Sequence, residues 1–460
     1  MKLKNYLTPI ILLLISCNLM VSADGNNSAY IYPPWKHTWG VVRATPFKLR
    51  LFAGDKTHFD DPQGIAAVRL ESWEDTTKTG DDDEITVYGV NSGDNCIIYN
   101  RSMFSLDIYG LDPNHVKFNK PWGIAADAKG RVYIADRGNS RIVRLRNTGK
   151  KLEYVGVLGE LGDAPGMFVE PRGVALDPQG TVYVTDVALN RVTLFNDSSE
   201  IIDVWEGFTE PDGIAVVGPG EKWNYKPKQT FVIVIDSLHQ RVRKLSLEGD
   251  LLNQTSAMDW GVKDAYLNYV VLDYHNQLII SDKNNGCLHK LDADLNYITS
   301  FGEAGKGKYQ FDEPRGIAIY RRFGQLIISE RTGAQYLWVA VDVSRFEAKV
   351  IIDSVWRDLS IDFEISEPAY CEIDVLDSYG RFVTRLSIRR RFPVGVGNLK
   401  WDLRVPRKIA GISTKSELPP QYKPGQRLPD GRYTLRGRFR ATYSSREFFS
   451  KEVTTEFVIE

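Results

Sequence analysis

The chain has 460 residues, with 58 basic and 59 acidic side chains and a formal charge of -1. Apolar residues at 43% and charged residues at 25% exclude bulk disorder, and near-neutrality argues against a dedicated nucleic-acid binder, which carries a basic excess. Beyond the first two dozen residues no stretch is apolar and long enough for a spanning helix, and the length calls for more than one domain.

At the start, Lys2 and Lys4 precede an apolar run from Ile10 to Ile15, the two parts of an export signal. Two exits are open. Val21-Ser22-Ala23 before Asp24 has the small residues of ordinary cleavage, giving a signal peptide of residues 1–23. Leu14-Ile15-Ser16-Cys17 resembles a bacterial lipobox, with the signal ending at residue 16 and Cys17 lipidated. Either exit predicts an extracytoplasmic protein: periplasmic, outer-membrane-anchored or secreted, with membrane contact only through a lipid anchor. Cys96, Cys287 and Cys371 are widely spaced and odd in number, which is neither a disulfide framework nor a Cys-x-x-Cys knuckle. They read as buried small hydrophobes.

After an N-terminal extension of residues 24–46, a short Pro-x-Gly motif recurs: Pro62-Gln-Gly-Ile-Ala, Pro121-Trp-Gly-Ile-Ala, Pro171-Arg-Gly-Val-Ala, Pro211-Asp-Gly-Ile-Ala and Pro314-Arg-Gly-Ile-Ala. Leu267-Asn-Tyr-Val-Val-Leu-Asp is a degenerate copy. The six copies stand roughly 40 to 60 residues apart, the period of a radial β-repeat. Each leads to a turn such as Asp127-Ala-Lys-Gly130, then a β-branched strand ending in an acid (Asp136, Asp186, Asp236, Asp282, Glu330). A third strand opens with Arg141, Arg191 or Arg241, and a fourth follows. These units resemble NHL repeats, and six of them imply a six-bladed β-propeller over residues 47–342. Blade 1 departs with Asn91 and Cys96 at the acid and Arg positions, blade 5 with Cys287 and blade 6 with Gln335. The last blade offers three strands, so Phe47-Lys-Leu-Arg-Leu-Phe-Ala-Gly54 is predicted to close the ring as an N-terminal strand.

From residue 343 to 460 the period changes. Leu359–Ile365, Tyr370–Leu376 and Arg381–Ile388 alternate as strands, followed by Leu399-Lys-Trp-Asp402 and Leu428-Pro-Asp-Gly-Arg-Tyr-Thr-Leu435. This set resembles the Ig-like domain of the flagellar hook-capping protein, which implies a β-sandwich with Trp401 and Tyr433 in its core. The fold class is therefore all-β, a propeller followed by a sandwich. Residues 343–460 carry 21 basic and 16 acidic side chains, net +5, against -6 for the rest.

The Pro-x-Gly motifs and the second-to-third-strand loops share one propeller face. Lys120, Glu170, Glu210 and Glu313 precede the motif prolines there, and Trp122, Arg172, Asp212 and Arg315 follow them. This concave mouth is the default binding site; the plainer alternative is a rim of salt bridges. The recurring acids read as structural. The histidines fall at different repeat positions, against a three-His zinc site of the kind amidating lyases hold. Calcium, as in lactonase-like propellers, would find oxygen ligands in Glu170, Glu210 and Glu313, with no other sequence support, so no cofactor is expected. The sequence reading is an exported, non-enzymatic interaction protein binding a protein partner or extracellular surface component through this face, with no nucleic acid. The alternatives are a metal-assisted propeller lyase or lactonase at the channel mouth, and a cell-wall or carbohydrate-binding protein using Trp122 and Trp205.

Overall fold

The computed structural model describes residues 27–38, 41–73, 85–102, 105–352, 357–406 and 422–460. The predicted export signal with Cys17 lies outside them, as do residues 74–84 and 407–421. Five four-stranded antiparallel sheets follow one another along the chain. They run from Pro62–Val68 to Ser105–Tyr109, Ile124–Ala126 to Leu152–Leu158, Pro171–Leu176 to Ile201–Trp205, Ile214–Val217 to Leu251–Ser256 and Leu267–Leu272 to Tyr297–Phe301. These are blades 1 to 5. Blade 6 contributes Ile317–Tyr320, Gln325–Glu330 and Gly333–Val339, and its outer strand comes from the other end of the chain. The first strand of each blade packs on that of the next, and Ile317–Tyr320 packs on Pro62–Val68, so these strands ring one axis as a β-propeller.

The ring is closed by different residues from those expected. Tyr30–Ile31 and Arg43–Ala44 pair with Gly333–Val339, whereas Pro46–Ala53 is an α-helix. Thr45 caps it by accepting from the Lys48 N–H, Pro46 occupies the first turn, and Gly54 at φ 69° ends it. These stop and start signals outweigh the strand-like alternation of residues 47–53. The described part of the 24–46 extension thus belongs to the propeller.

The motif glycines fix how the blades meet. A Cβ on Gly64 would lie 2.7 Å from the carbonyl oxygen of Trp122 in the next blade's motif. Gly123, Gly173, Gly213 and Gly316 face the carbonyls of Arg172, Asp212, Asn268 and Gln63 at under 3.0 Å in the same way. Blade 5 has Tyr269 at this position. The strand-ending acids, and Asn91 in their place in blade 1, tie down the loops that lead into the motifs. Asp136 accepts from the Asn119 N–H (2.7 Å), Asp186 from Val169 (2.8 Å), Glu330 from Asp312 (3.0 Å) and Asn91 from Asp60 (2.9 Å). Arg141 and Arg241 pair with Asp136 and Asp236, at 2.8 and 2.7 Å, while Arg191 instead donates to the carbonyls of Asp163, Ala164 and Met167.

Beyond Asp342, Val343–Ile352, Arg357–Ile365 and Gly395–Trp401 form one sheet. Phe382–Phe392, Ala369–Asp377, Gly431–Ala441 and Lys451–Ile459, in that order, form a second. Trp401 and Tyr433 are buried in this unit, their polar tips bonded to the carbonyls of Arg404 and Pro429, both at 2.8 Å. The first and last strands lie outside the expected set; each exposes much of one side, while Phe346, Ala348 and Val350 of the first pack on the apolar cluster.

The second unit docks on blades 5 and 6 through one continuous apolar cluster that joins Leu288, Phe301 and Trp338 to Phe363, Phe439 and Tyr443. Inside it lies a buried charge cluster. The Lys290 ammonium pairs with Glu367 and stands 3.8 Å from Asp273, all three fully inaccessible. Burial pushes the Glu367 carboxyl up to about 8, against the pull of Lys290. His275 bonds Thr442 across the junction (2.7 Å), and the Arg391 guanidinium lies over the Tyr225 ring (3.8 Å). Removing the cation while leaving two buried acidic side chains without a counter-charge is expected to cost about 3–5 kcal/mol in Lys290→Met, read as a lowered denaturation midpoint. Gly173→Ala, which puts a methyl against a backbone carbonyl, is expected to cost about 1–3 kcal/mol in the same measurement, whereas an alanine at the open Gly156 should not place a methyl against any neighbour.

Candidate functional site

The propeller mouth is built from the Pro-x-Gly motifs and the loops after the second strands. Five of its eight predicted residues form two ion-paired arcs, and Trp122 packs against the first. In the first, Arg172 bonds Glu170 (2.8 Å) and Asp212 (3.1 Å), and Arg137 also reaches Glu170 (2.7 Å). The Arg137 and Arg172 guanidinium groups both lie over the Trp122 ring, at 4.9 and 5.1 Å. In the second, Arg315 pairs with Asp61 and Glu313, and Glu313 also faces Arg331 (3.7 Å) and Lys283 (3.9 Å). Lys120 and Glu210 join through their backbones. Each sits at φ 48° and donates its N–H to an asparagine side chain, Asn95 or Asn190.

Asp212 is 1% exposed, and its second oxygen has no hydrogen-bond partner among the described residues. Burial raises its carboxyl above the usual range despite Arg172 and His239. His239 Nδ1 lies 3.6 Å from Asp212 and 3.1 Å from the Leu267 carbonyl, and the ring stacks on Tyr266 at 3.9 Å. Burial holds the imidazole below its ordinary value, so it is neutral at neutral pH. The backbone delivering it is unusual. Ser237, Leu238 and His239 all have positive φ (52°, 58° and 66°), where blades 1 to 3 use one such residue, Asn95, Ser140 or Asn190. Consecutive left-handed non-glycine residues cost about 1–2 kcal/mol each and persist where surroundings impose them. Sequence reading named Asp212, set His239 aside with the other histidines and did not single out Tyr266 or Arg137, since nothing in the repeat announces a left-handed loop in blade 4.

Between the arcs stands Tyr269, its hydroxyl buried without a partner among the described residues and flanked by the charges of Asp212, Arg172, Arg315 and Asp61. It takes the motif glycine's place. A cavity of about 520 Å³ opens at the other end of the axis, among Val68, Ala126, Leu176, Trp223, Tyr320 and Arg321. In the opposite cavity, Asp127 and Asp177 are engaged in capping their turns (2.9 and 2.8 Å), so the perturbed acid–base pair belongs to the mouth.

The calcium ligand set does not fit. Glu170 and Glu313 each face two or more cations, and among the described residues neither group of donors close enough to share an ion contains Glu170, Glu210 or Glu313. One such group, His58, Asp60 and Asp94, is solvent-exposed; the other is buried in blade 5.

The NHL repeat family model matches residues 118–145, from the Pro-x-Gly motif to the third strand of blade 2. No curated protein matches the chain. Solved structures similar to it include a virginiamycin B lyase from Staphylococcus aureus (13% identity over 62% of this chain and 96% of that one, TM-score 0.42). A protein of unknown function from Bacteroides thetaiotaomicron (18%, 62% and 70%, TM-score 0.45) and a gluconolactonase from Xanthomonas campestris (13%, 65% and 94%, TM-score 0.43) are others. These likenesses concern the fold and carry nothing about activity.

The histidine titration is directly measurable. His239 is expected to protonate below 6.5 in an NMR titration of the imidazole signals. Because its folded value is depressed, the stability it contributes is present above the unfolded value and lost as pH falls through the folded one. An imidazole that titrates above 6.5 would contradict the buried, neutral state.

Proposed function

We propose that the chain is an exported six-bladed NHL-type propeller joined to an Ig-like sandwich, and that its mouth transfers protons on a small polar substrate, as lyases and lactonases do. The observation behind this is His239, held by a three-residue left-handed turn against Asp212 and beside Arg172. A neutral imidazole can take a proton from carbon or water, and its orientation by a carboxylate and a carbonyl leaves Nε2 as the base. Arg172 supplies positive charge for a developing enolate or oxyanion, and Glu170 holds that guanidinium in place.

A second reading, the interaction protein, draws support from a different surface. The outermost strands of blades 2, 3 and 4 expose Tyr154 and Val155, Ile201 and Ile202, and Leu251 and Leu252. Apolar edge strands of this kind are suited to a partner. The carbohydrate reading loses ground, because Trp205 is buried and two guanidinium groups cover Trp122.

A panel of lactones and cyclic esters, followed by ring-opening in a pH-stat, tests the main reading. Turnover is expected to fall about 10²–10⁴-fold in His239→Gln with an unchanged melting temperature. Absence of turnover across the panel in the wild type, or equal turnover in the variant, would remove the enzymatic reading and leave the interaction one.

A further inference from the structure

Blade 5 breaks the repeat at the start of its third strand. Where blades 2, 3 and 4 place Arg141, Arg191 and Arg241, it has Cys287. Asp282 lies directly across from Cys287 in the strand pairing. His289, two residues along, projects to the same side of the sheet. The three side chains converge. His289 Nε2 is 3.1 Å from Asp282 Oδ2 and 3.7 Å from Cys287 Sγ, and all three donor atoms lie within 4.8 Å of one another. Exposure is 0% for Asp282, 6% for Cys287 and 1% for His289.

A tetrahedral zinc ion, with bonds of about 2.0 Å to nitrogen or oxygen and about 2.3 Å to sulfur, separates such donors by roughly 3.3–3.6 Å. The observed spacings bracket that range. The surroundings hold the donors in place: Ser300 Oγ bonds His289 Nδ1 (2.7 Å) and is itself held by the Tyr297 hydroxyl (2.5 Å). Asn285 and the Tyr266 N–H hold Asp282, at 2.7 and 3.0 Å. A hydrogen-bonded second nitrogen is how metal-binding histidines are oriented. Substituting one cationic partner for another would account for His289 beside Asp282. It does not account for a thiol in place of the arginine, aimed at the same ring nitrogen.

We propose that Asp282, Cys287 and His289 bind a divalent transition metal of the zinc type, in a buried site of blade 5 separate from the propeller mouth. A mixed sulfur, nitrogen and oxygen set favours zinc over magnesium or calcium, which take oxygen alone. The ion takes the place of the arginine as the counter-charge to Asp282.

The test uses the full-length chain, stripped with chelator and titrated with Co²⁺ and then Zn²⁺. One Co²⁺ per chain is expected, with a thiolate-to-cobalt absorption that Zn²⁺ displaces. Cys287→Ser should abolish that absorption and weaken Zn²⁺ binding about 100-fold or more, and Ser300→Ala should weaken it about 10–100-fold. Zn²⁺ should raise the melting temperature of the wild type and not that of Cys287→Ser. His289→Gln, which keeps the cysteine, provides the same comparison if Cys287→Ser fails to fold. A wild type that takes up no stoichiometric metal overturns the proposal. So does an absorption that survives loss of Cys287 or follows Cys96 or Cys371 instead.

Discussion

The structure depends on the absence of a side chain at one repeated place. At five of the six Pro-x-Gly positions, the next blade's carbonyl occupies the volume a Cβ would need. Innermost strands can therefore approach backbone to backbone, which sets the tilt between blades and closes the ring. It also decides what reaches the mouth. With the glycines packed sideways, the residue before each one becomes the side chain of the rim: Gln63, Trp122, Arg172, Asp212, Asn268 and Arg315. The one copy that breaks the rule, with Tyr269, places a phenol between the two arcs.

Charged groups do three different jobs here, and burial separates them. The exposed pairs of the outer surface are worth about 0–1 kcal/mol each. The half-buried arcs of the mouth hold guanidinium groups at fixed positions, which matters more for geometry than for stability. The inaccessible Lys290–Glu367–Asp273 cluster is different again. Its members have lost their water, so any broken version is penalised, which favours one docking arrangement of the second unit on the propeller. The apolar cluster around it supplies the adhesion.

Much of the propeller is legible in the sequence because it repeats. Motifs, turns and strand-ending acids each recur with the same local chemistry, and the acids do secure the loops before the motifs in blades 2, 3, 5 and 6, as Asn91 does in blade 1. Five of the eight expected mouth residues fall into shared ion pairs for the same reason, and Trp122 lies under two of the guanidinium groups. What is not legible is whatever happens once. The closing strands at residues 30–31 and 43–44 are two residues each, too short for any periodicity, while residues 47–53 alternate like a strand and obey the Thr45-Pro46 and Gly54 helix signals. His239 reaches Asp212 only through a local backbone excursion. The contact between Lys290 and Glu367 joins residues 77 apart, in separate units.

Closure by the start of the chain has a mechanical side. Ala340 donates to the Ala29 carbonyl (2.8 Å), and Ser28 bonds the Val341 carbonyl (2.9 Å) and Asp342 (2.9 Å), so the strand entering the ring and the strand leaving for the sandwich end side by side. Tension applied between residue 27 and the second unit would load these bonds in turn from one end, rather than shear the set together. The propeller's latch is thus placed where a load between its two ends would be felt first, with the docked second unit beside it as the element that keeps it shut.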